Sequence, residues 1–280
     1  MEVVHTVKAL EELLQQPRQQ GKSIGLVPTM GALHKGHATL VERCVAENEL
    51  CVVTVFVNPT QFNNPEDLRL YPRTPEKDYE LLRSIGADIV FVPSVEEVYP
   101  EPDSRVFDFD QLDKVMEGAF RPGHFNGVAQ VVSKFFDFIQ PHRAYFGEKD
   151  YQQLAIVREM VKQQKLPVEI VGVATVREQS GLAMSSRNQR LSEEEKEHAS
   201  EIYRIMREST LLVEEKSPDQ VVRFVIEAIN NVADLRVEYF GIVDGDSLQP
   251  ISAWYDSENI VGAIAVYCGD VRLIDNIRYR

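Results

Sequence analysis

Apolar positions in the first 175 residues switch between two periods. Val7, Leu10, Leu13 and Leu14 recur at three- and four-residue spacing and predict a helix over 6–20. Ile24-Gly25-Leu26-Val27 is a short unbroken apolar run. Leu50-Cys51-Val52-Val53-Thr54-Val55-Phe56-Val57 is a longer one, rich in β-branched residues. Both read as strands covered on two faces. Between them, 37–48 has helical spacing. A polar loop over 58–74 follows, with Pro59, Pro65 and Pro72 in it, and then a helix over 75–85. Ala87 to Val92 reads as a strand ended by Pro93. Beyond an irregular stretch the pattern predicts a helix over 127–139, a strand over 143–147, a helix over 150–164 and a strand over 168–173.

Strands alternating with helices imply right-handed crossovers and a mostly parallel sheet. The expected fold class is therefore α/β, a Rossmann-like doubly wound parallel sheet. Near residue 190 the texture changes. Ser192 precedes Glu193-Glu194-Glu195, an N-cap with acidic first-turn residues, and predicts a helix to about 215. Ser217-Pro218 opens a second helix, to about 231. Strands at 235–243, 260–268 and 271–277 complete a smaller C-terminal α+β domain. The expected boundaries are 1–178 for the catalytic domain and 188–280 for a lid domain, joined by a 179–187 hinge.

Bulk properties narrow the function. The chain has 280 residues, is 44% apolar and 26% charged, and carries a formal charge of −14. An acidic chain is a poor nucleic-acid partner, which needs a basic footprint. It can still hold a local basic cleft for small anions. No apolar run nears the roughly 18 residues of a membrane span, and Met1-Glu2-Val3-Val4-His5 has no signal-peptide character. Cys44, Cys51 and Cys268 form no CxxC pair, which fits a reducing cytoplasm.

The candidate chemistry sits after the predicted strands, where open α/β sheets bind ligands. Pro28-Thr29-Met30-Gly31-Ala32-Leu33-His34-Lys35-Gly36-His37 is a glycine-bearing turn into a helix, with two histidines three apart. A helix N-terminus attracts phosphate through unpaired N–H groups and its dipole, and the imidazoles add donors. Ordinary loop histidines or a zinc pair are the alternatives, but no third and fourth ligand stands at metal spacing. Gly181-Leu182-Ala183-Met184-Ser185-Ser186-Arg187-Asn188 offers two hydroxyls and a guanidinium for phosphate oxygens, or is an ordinary polar linker. Gly147-Glu148-Lys149-Asp150, followed by Gln152 and Gln153, supplies a point charge, or merely caps the next helix. Asn58-Pro59-Thr60-Gln61-Phe62 puts an amide at a strand end. Arg121-Pro122-Gly123-His124-Phe125-Asn126-Gly127 is a glycine-rich loop signal.

The histidine turn and the late Ser-Ser-Arg loop resemble the HxGH nucleotidyltransferase superfamily, which includes class I aminoacyl-tRNA synthetases. Arg187 stands where that group's second signature typically has Lys. With Phe56-Val57-Asn58-Pro59-Thr60-Gln61-Phe62, Tyr71-Pro72-Arg73-Thr74, 121–125, 144–150 and 181–188 added in order, the chain resembles the pantoate–β-alanine ligase family. Leu273-Ile274-Asp275-Asn276 is a further shared block.

The resemblance implies a two-step reaction. Pantoate and ATP give pantoyl adenylate and diphosphate, and β-alanine then displaces AMP to give pantothenate. It implies His34, His37, Lys149, Ser185, Ser186 and Arg187 as catalytic residues. ATP would be bound by Pro28, Thr29, Met30, Gly31, His34, Gly36, His37, Gly147, Glu148, Lys149, Asp150, Val176, Met184, Ser185, Ser186 and Arg187. Gln61, Gln153, Asn58 and His124 would bind pantoate and β-alanine. Mg²⁺ would accompany ATP, with no protein ligand assigned and Asp78 a lesser candidate. A homodimer is implied, with neither nucleic acid nor membrane as partner. Ser180 departs from the family, which commonly has an acid just before the glycine. A tRNA synthetase, another nucleotidyltransferase or a non-catalytic nucleotide-binding module are the competing readings.

Overall fold

The computed structural model describes residues 1–280. In chain order the regular elements are β1 (Glu2–Val4), α1 (Val7–Gln19), β2 (Ile24–Thr29), α2 (Lys35–Glu47), β3 (Leu50–Val55), α3 (Pro65–Leu70), α4 (Pro75–Ser84), β4 (Ile89–Phe91), α5 (Val95–Val98), α6 (Met116–Phe120), α7 (His124–Ile139), β5 (Arg143–Gly147), α8 (Tyr151–Gln164), β6 (Glu169–Val173), α9 (Glu193–Ser209), α10 (Pro218–Asn230), β7 (Leu235–Asp244), β8 (Ile260–Cys268) and β9 (Val271–Arg278).

The chain forms two compact units. One comprises Met1–Phe109, Arg121–Glu148 and Ile156–Ala174; the other comprises Asp110–Phe120, Lys149–Ala155 and Thr175–Arg280. The first holds a six-stranded sheet of order β1-β4-β3-β2-β5-β6, with every pair parallel. The direction of travel reverses between β2 and β5, where Gly25 lies opposite Arg143 and Leu26 opposite Ala144. That pair of strands is the topological switch point, so its carboxyl end is the crevice for a ligand. The strands read as continuous apolar runs because both faces are covered. Val27, Val53, Val90 and Tyr145 are fully buried, with Val41 and Cys44 of α2 packed into the same core.

The second unit is built on an antiparallel sheet, β7-β8-β9. Its core joins Ile264, Val266 and Leu273 of the sheet to Ile202, Ile205 and Met206 of α9 and Val225 and Ile229 of α10. Both helices start as the sequence signals. The Ser192 hydroxyl accepts from Glu195 N while the Glu195 carboxylate accepts from Ser192 N, and Ser217 and Gln220 repeat the box. Caps of this kind contribute about 1 kcal/mol each.

Several elements differ from expectation, among them the short helices α5 and α6 in the stretch read as irregular. The polar 58–74 loop contains α3, capped by the Asn64 side chain with Pro65 in its first turn. α9 ends at Ser209, six residues early, where Thr210–Leu212 tightens into a 3₁₀ turn. α7 begins at His124, after Gly123 turns with φ +80°. β1, only three residues long, adds to the sheet edge beside β4 with no periodic signal of its own. The three cysteines are free and buried, and no helix is long and apolar enough to cross a membrane.

Candidate active site

In the first unit the site is built on the turn that leaves β2. The Thr29 hydroxyl donates to Thr54 O (2.7 Å) and accepts from Gly31 N (3.2 Å). Gly31 takes φ +79°, and Ala32 follows at φ +48°, a left-handed conformation that costs a non-glycine residue about 1 kcal/mol. A buried carboxylate holds it there. Asp78 of α4 accepts from Ala32 N (2.9 Å), Leu33 N (2.8 Å) and the Thr74 hydroxyl (3.0 Å), and is 2% exposed. Sequence reasoning gives Asp78 only a lesser role as a metal candidate. Its signal is a carboxylate four residues before Leu82, on the buried face of a helix.

The turn delivers the two histidines in one defined state. His34 is the N-cap of α2, and its Nδ1 accepts from Gly36 N (3.1 Å). His37 Nδ1 accepts from His34 N (3.3 Å), closing a capping box made of two imidazoles. The ring centroids lie 4.1 Å apart. A backbone N–H can only donate, so both Nδ1 atoms are unprotonated and both protons sit on Nε2. Each histidine is thus fixed as a neutral Nε2–H donor at a helix N-terminus. A doubly protonated imidazole could not keep the cap.

Beside this turn lies an amide cluster. Gln61 Nε2 donates to Met30 Sδ (3.1 Å), and Asn58 Nδ2 donates to Gln61 Oε1 (3.2 Å) and Gly127 O (3.1 Å). His124 Nδ1 lies 2.8 Å from Gln61 O, and Arg121 also reaches that carbonyl (3.2 Å). Asn58 and His124 are both buried. What they hold is the Gln61 segment, and Tyr99 in turn donates to Asn58 Oδ1 (3.0 Å). Gly147 ends β5, and Glu148 begins the 3₁₀ turn Glu148–Asp150.

The second unit carries the remaining candidates. Val176 and Met184 are joined by Met184 N–Val176 O (3.0 Å), and Arg177 bridges Ala183, so 176–184 is a hairpin. It turns at Gly181, with φ +94°. Ser185 then caps the 3₁₀ helix Ser186–Arg190, its hydroxyl accepting from Arg187 N (3.3 Å). Asn188 Nδ2 ties this turn back to Glu178 Oε1 (2.8 Å) and Ala183 O (3.1 Å). Lys149 and Asp150 precede α8, and Gln153 sits in its first turn. Gln152 beside it is buried and faces the 110–120 segment, accepting from Glu117 N (3.0 Å) and donating to Leu112 O and Val115 O. That anchoring role has no local sequence signal.

A parallel α/β sheet with paired donor histidines at its switch point is the layout of a nucleotide-handling enzyme. Comparison with known proteins makes the class specific. The family model for pantoate-beta-alanine ligase matches residues 2–278. Pantothenate synthetase of Bacteroides fragilis (strain YCH46) is 58% identical over 280 residues, covering 100% of this chain and 99% of the relative. That of Porphyromonas gingivalis (strain W83) is 56% identical with the same coverage. The crystal structure of pantothenate synthetase from Thermus thermophilus superposes with a TM-score of 0.93 at 46% identity, covering 100% of this chain and 99% of that one. The Francisella tularensis pantoate-beta-alanine ligase, crystallised with beta-gamma ATP and beta-alanine, gives 0.85 at 34%, covering 100% and 98%. The chain belongs to the pantoate–β-alanine ligase family.

Proposed function

We propose that this protein condenses pantoate with β-alanine at the expense of ATP, through an enzyme-bound pantoyl adenylate. The supporting observation is the histidine capping box, which fixes two neutral Nε2–H donors where a switch-point ligand binds. In the first step a pantoate carboxylate oxygen attacks the α-phosphorus, and the bond to the bridging oxygen breaks, releasing diphosphate. In the second, the β-alanine amine attacks the acyl carbon, AMP leaves, and the amine gives up a proton. Neither step needs covalent help from the chain. Both need in-line positioning and charge stabilisation on phosphate oxygens.

His34 and His37 act as fixed dipolar donors to the phosphates rather than as acids. Lys149, Ser185, Ser186 and Arg187 supply cationic and hydroxyl contacts to nucleotide phosphates. Pro28, Thr29, Met30, Gly31, Gly36, Gly147, Glu148, Asp150, Val176 and Met184 shape its binding. Gln61 and Gln153 hold pantoate, and Asn58 and His124 serve by fixing Gln61. Mg²⁺ arriving with ATP would neutralise phosphate charge. Asp78 would offer it little, since three of its roughly four lone-pair sites are engaged. The reading includes a catalytic 1–178 domain, a 188–280 lid, a 179–187 hinge, a homodimer, and a cytoplasmic location.

Diphosphate release from ATP tests it. Release should require pantoate, and pantothenate should form only when β-alanine is added. Release with another acid and none with pantoate would sink the substrate assignment.

A further inference from the structure

We infer that strand β9 positions the nucleotide-binding elements of the second unit, with Asp275 fixing the root of the Ser-Ser-Arg hairpin and Asn276 fixing the main chain at Lys149. The inference rests on the proposed roles of Lys149 and of Ser185 to Arg187. Both positioning residues belong to the Leu273-Ile274-Asp275-Asn276 block, for which the reaction itself provides no part.

The argument starts from strand geometry. Successive side chains of a strand point to opposite faces. On β9, Val271, Leu273 and Asp275 are buried, whereas Arg272, Ile274 and Asn276 alternate with them and are partly exposed. Neighbouring residues can therefore hold different segments.

On the buried face, Asp275 takes the Arg177 guanidinium in a two-pronged pair, with Nη1–Oδ2 at 2.6 Å and Nη2–Oδ1 at 2.9 Å. Arg177 also donates to Gly181 O and Asn276 O (both 3.2 Å), and its Cζ lies 3.6 Å from the centre of the Tyr203 ring. The same ring closes on Gly181, where a Cβ would come within 2.9 Å of Tyr203 Cδ1. Arg177 therefore spans the hairpin from its first strand to its turn. Asp275 Oδ1 additionally accepts from Asn276 N (2.7 Å). The pair is mostly shielded from water, Arg177 being 18% and Asp275 7% exposed. Buried pairs add little net stability, because desolvation offsets the attraction. Their forked geometry fixes orientation, and what is oriented here leads directly into Ser185.

On the other face, Asn276 Nδ2 donates to Lys149 O (2.9 Å). Four residues earlier on that face, Arg272 grips Glu117 through Nη1 and Nη2 (2.9 and 2.7 Å) and also pairs with Glu238. The strand thus holds both inserted segments of its unit, 110–120 and 149–155, as well as the hairpin.

A residue that works by placing another should lose its effect when that other is gone. Diphosphate release from ATP and pantoate is measured for Asn276→Ala, Lys149→Ala and the double variant. Asn276→Ala should lower kcat about tenfold, since displacements near 1 Å can cost up to about 10²-fold. In the Lys149→Ala background the same change should alter kcat by less than about twofold. An equal loss in both backgrounds, or a wild-type rate for Asn276→Ala, overturns the inference. Asn276→Asp, nearly isosteric but unable to donate, gives the same comparison should the alanine variant fail to fold. A parallel cycle pairs Asp275→Asn with Arg187→Ala and is read the same way. If Lys149→Ala and Arg187→Ala themselves retain wild-type rates, the underlying ATP-site reading fails instead, and the two failures are told apart.

Discussion

The Gly31–Leu33 turn of the first unit and the 176–184 hairpin of the second both lead into candidate phosphate-binding residues, yet different chemistry fastens them. In the first, backbone N–H groups converge on a single buried carboxylate, Asp78, and a left-handed Ala32 is held against its own preference. In the second, a guanidinium is gripped by Asp275 and stacked on Tyr203. Short of proline, substitution leaves backbone donors in place, so the first turn depends on its acceptors, Asp78 and the Thr29 hydroxyl. Every holding contact of the Arg177 anchor runs through that one side chain, so a single substitution there releases all of them. The first arrangement makes the turn inseparable from its unit's core. The second can be disturbed at little cost in stability only where the charge is kept, since removing one partner leaves a buried charge unpaired.

The largest expected effect isolates the chemistry that the first turn presents. His37→Ala should reduce kcat by about 10²-fold or more, the size of a lost donor at a transition state. A near-wild-type rate in steady-state kinetics would remove His37 from the mechanism. Next, Asp78→Ala strands two backbone donors and should destabilise the protein by about 3 kcal/mol in urea unfolding, with Asp78→Asn nearer half of that. Unchanged stability would break the contrast between the two turns. Arg177→Lys keeps the charge but loses the fork. It should lower kcat/KM for ATP about tenfold while shifting stability by only about 1 kcal/mol.

An alkaline titration tests how dry the second unit's core is. Burial pushes the Cys268 thiol up to about 11 from an ordinary 9.0. Between those values the unfolded chain has lost the proton that the native one keeps. The thiol's contribution is therefore complete below pH 9 and disappears as pH rises through about 11, removing at most about 2.7 kcal/mol. Cys268→Ala should flatten that part of the stability curve, and an unchanged slope would refute the assignment. The smallest effect is expected at Ser180, whose hydroxyl accepts from Leu182 N at 3.4 Å. Ser180→Asp should change kcat less than twofold, and a tenfold change would show that the hairpin tip carries more than shape.

Regular elements with strong periods are legible in the sequence, and so is the α/β class, because both faces of each central strand are covered. β1 and α3 are not, being too short for a period to show. The histidine turn is visible as a motif, but its tautomers are not. Histidine is an unusual N-cap, and only coordinates reveal which ring nitrogen faces a backbone N–H. The anchoring roles of Asp78, Arg177 and Asp275 escape because the partners that define them lie 45 to 98 residues away. A carboxylate reads as a solvated charge until the fold places donors around it.

The order of synthesis gives the 110–120 segment a long wait. Glu117 emerges from the ribosome 155 residues before Arg272, the cation that neutralises it. At about 5–20 residues per second that is a delay of about 8–30 s. Through that interval a carboxylate destined for burial stays hydrated, and the second unit cannot close around it. Its assembly is therefore a late event, governed by arrival of the final strand. A transcript broken shortly before codon 272 would yield a chain whose Glu117 lacks its cation, with Gln152 left to hold the segment.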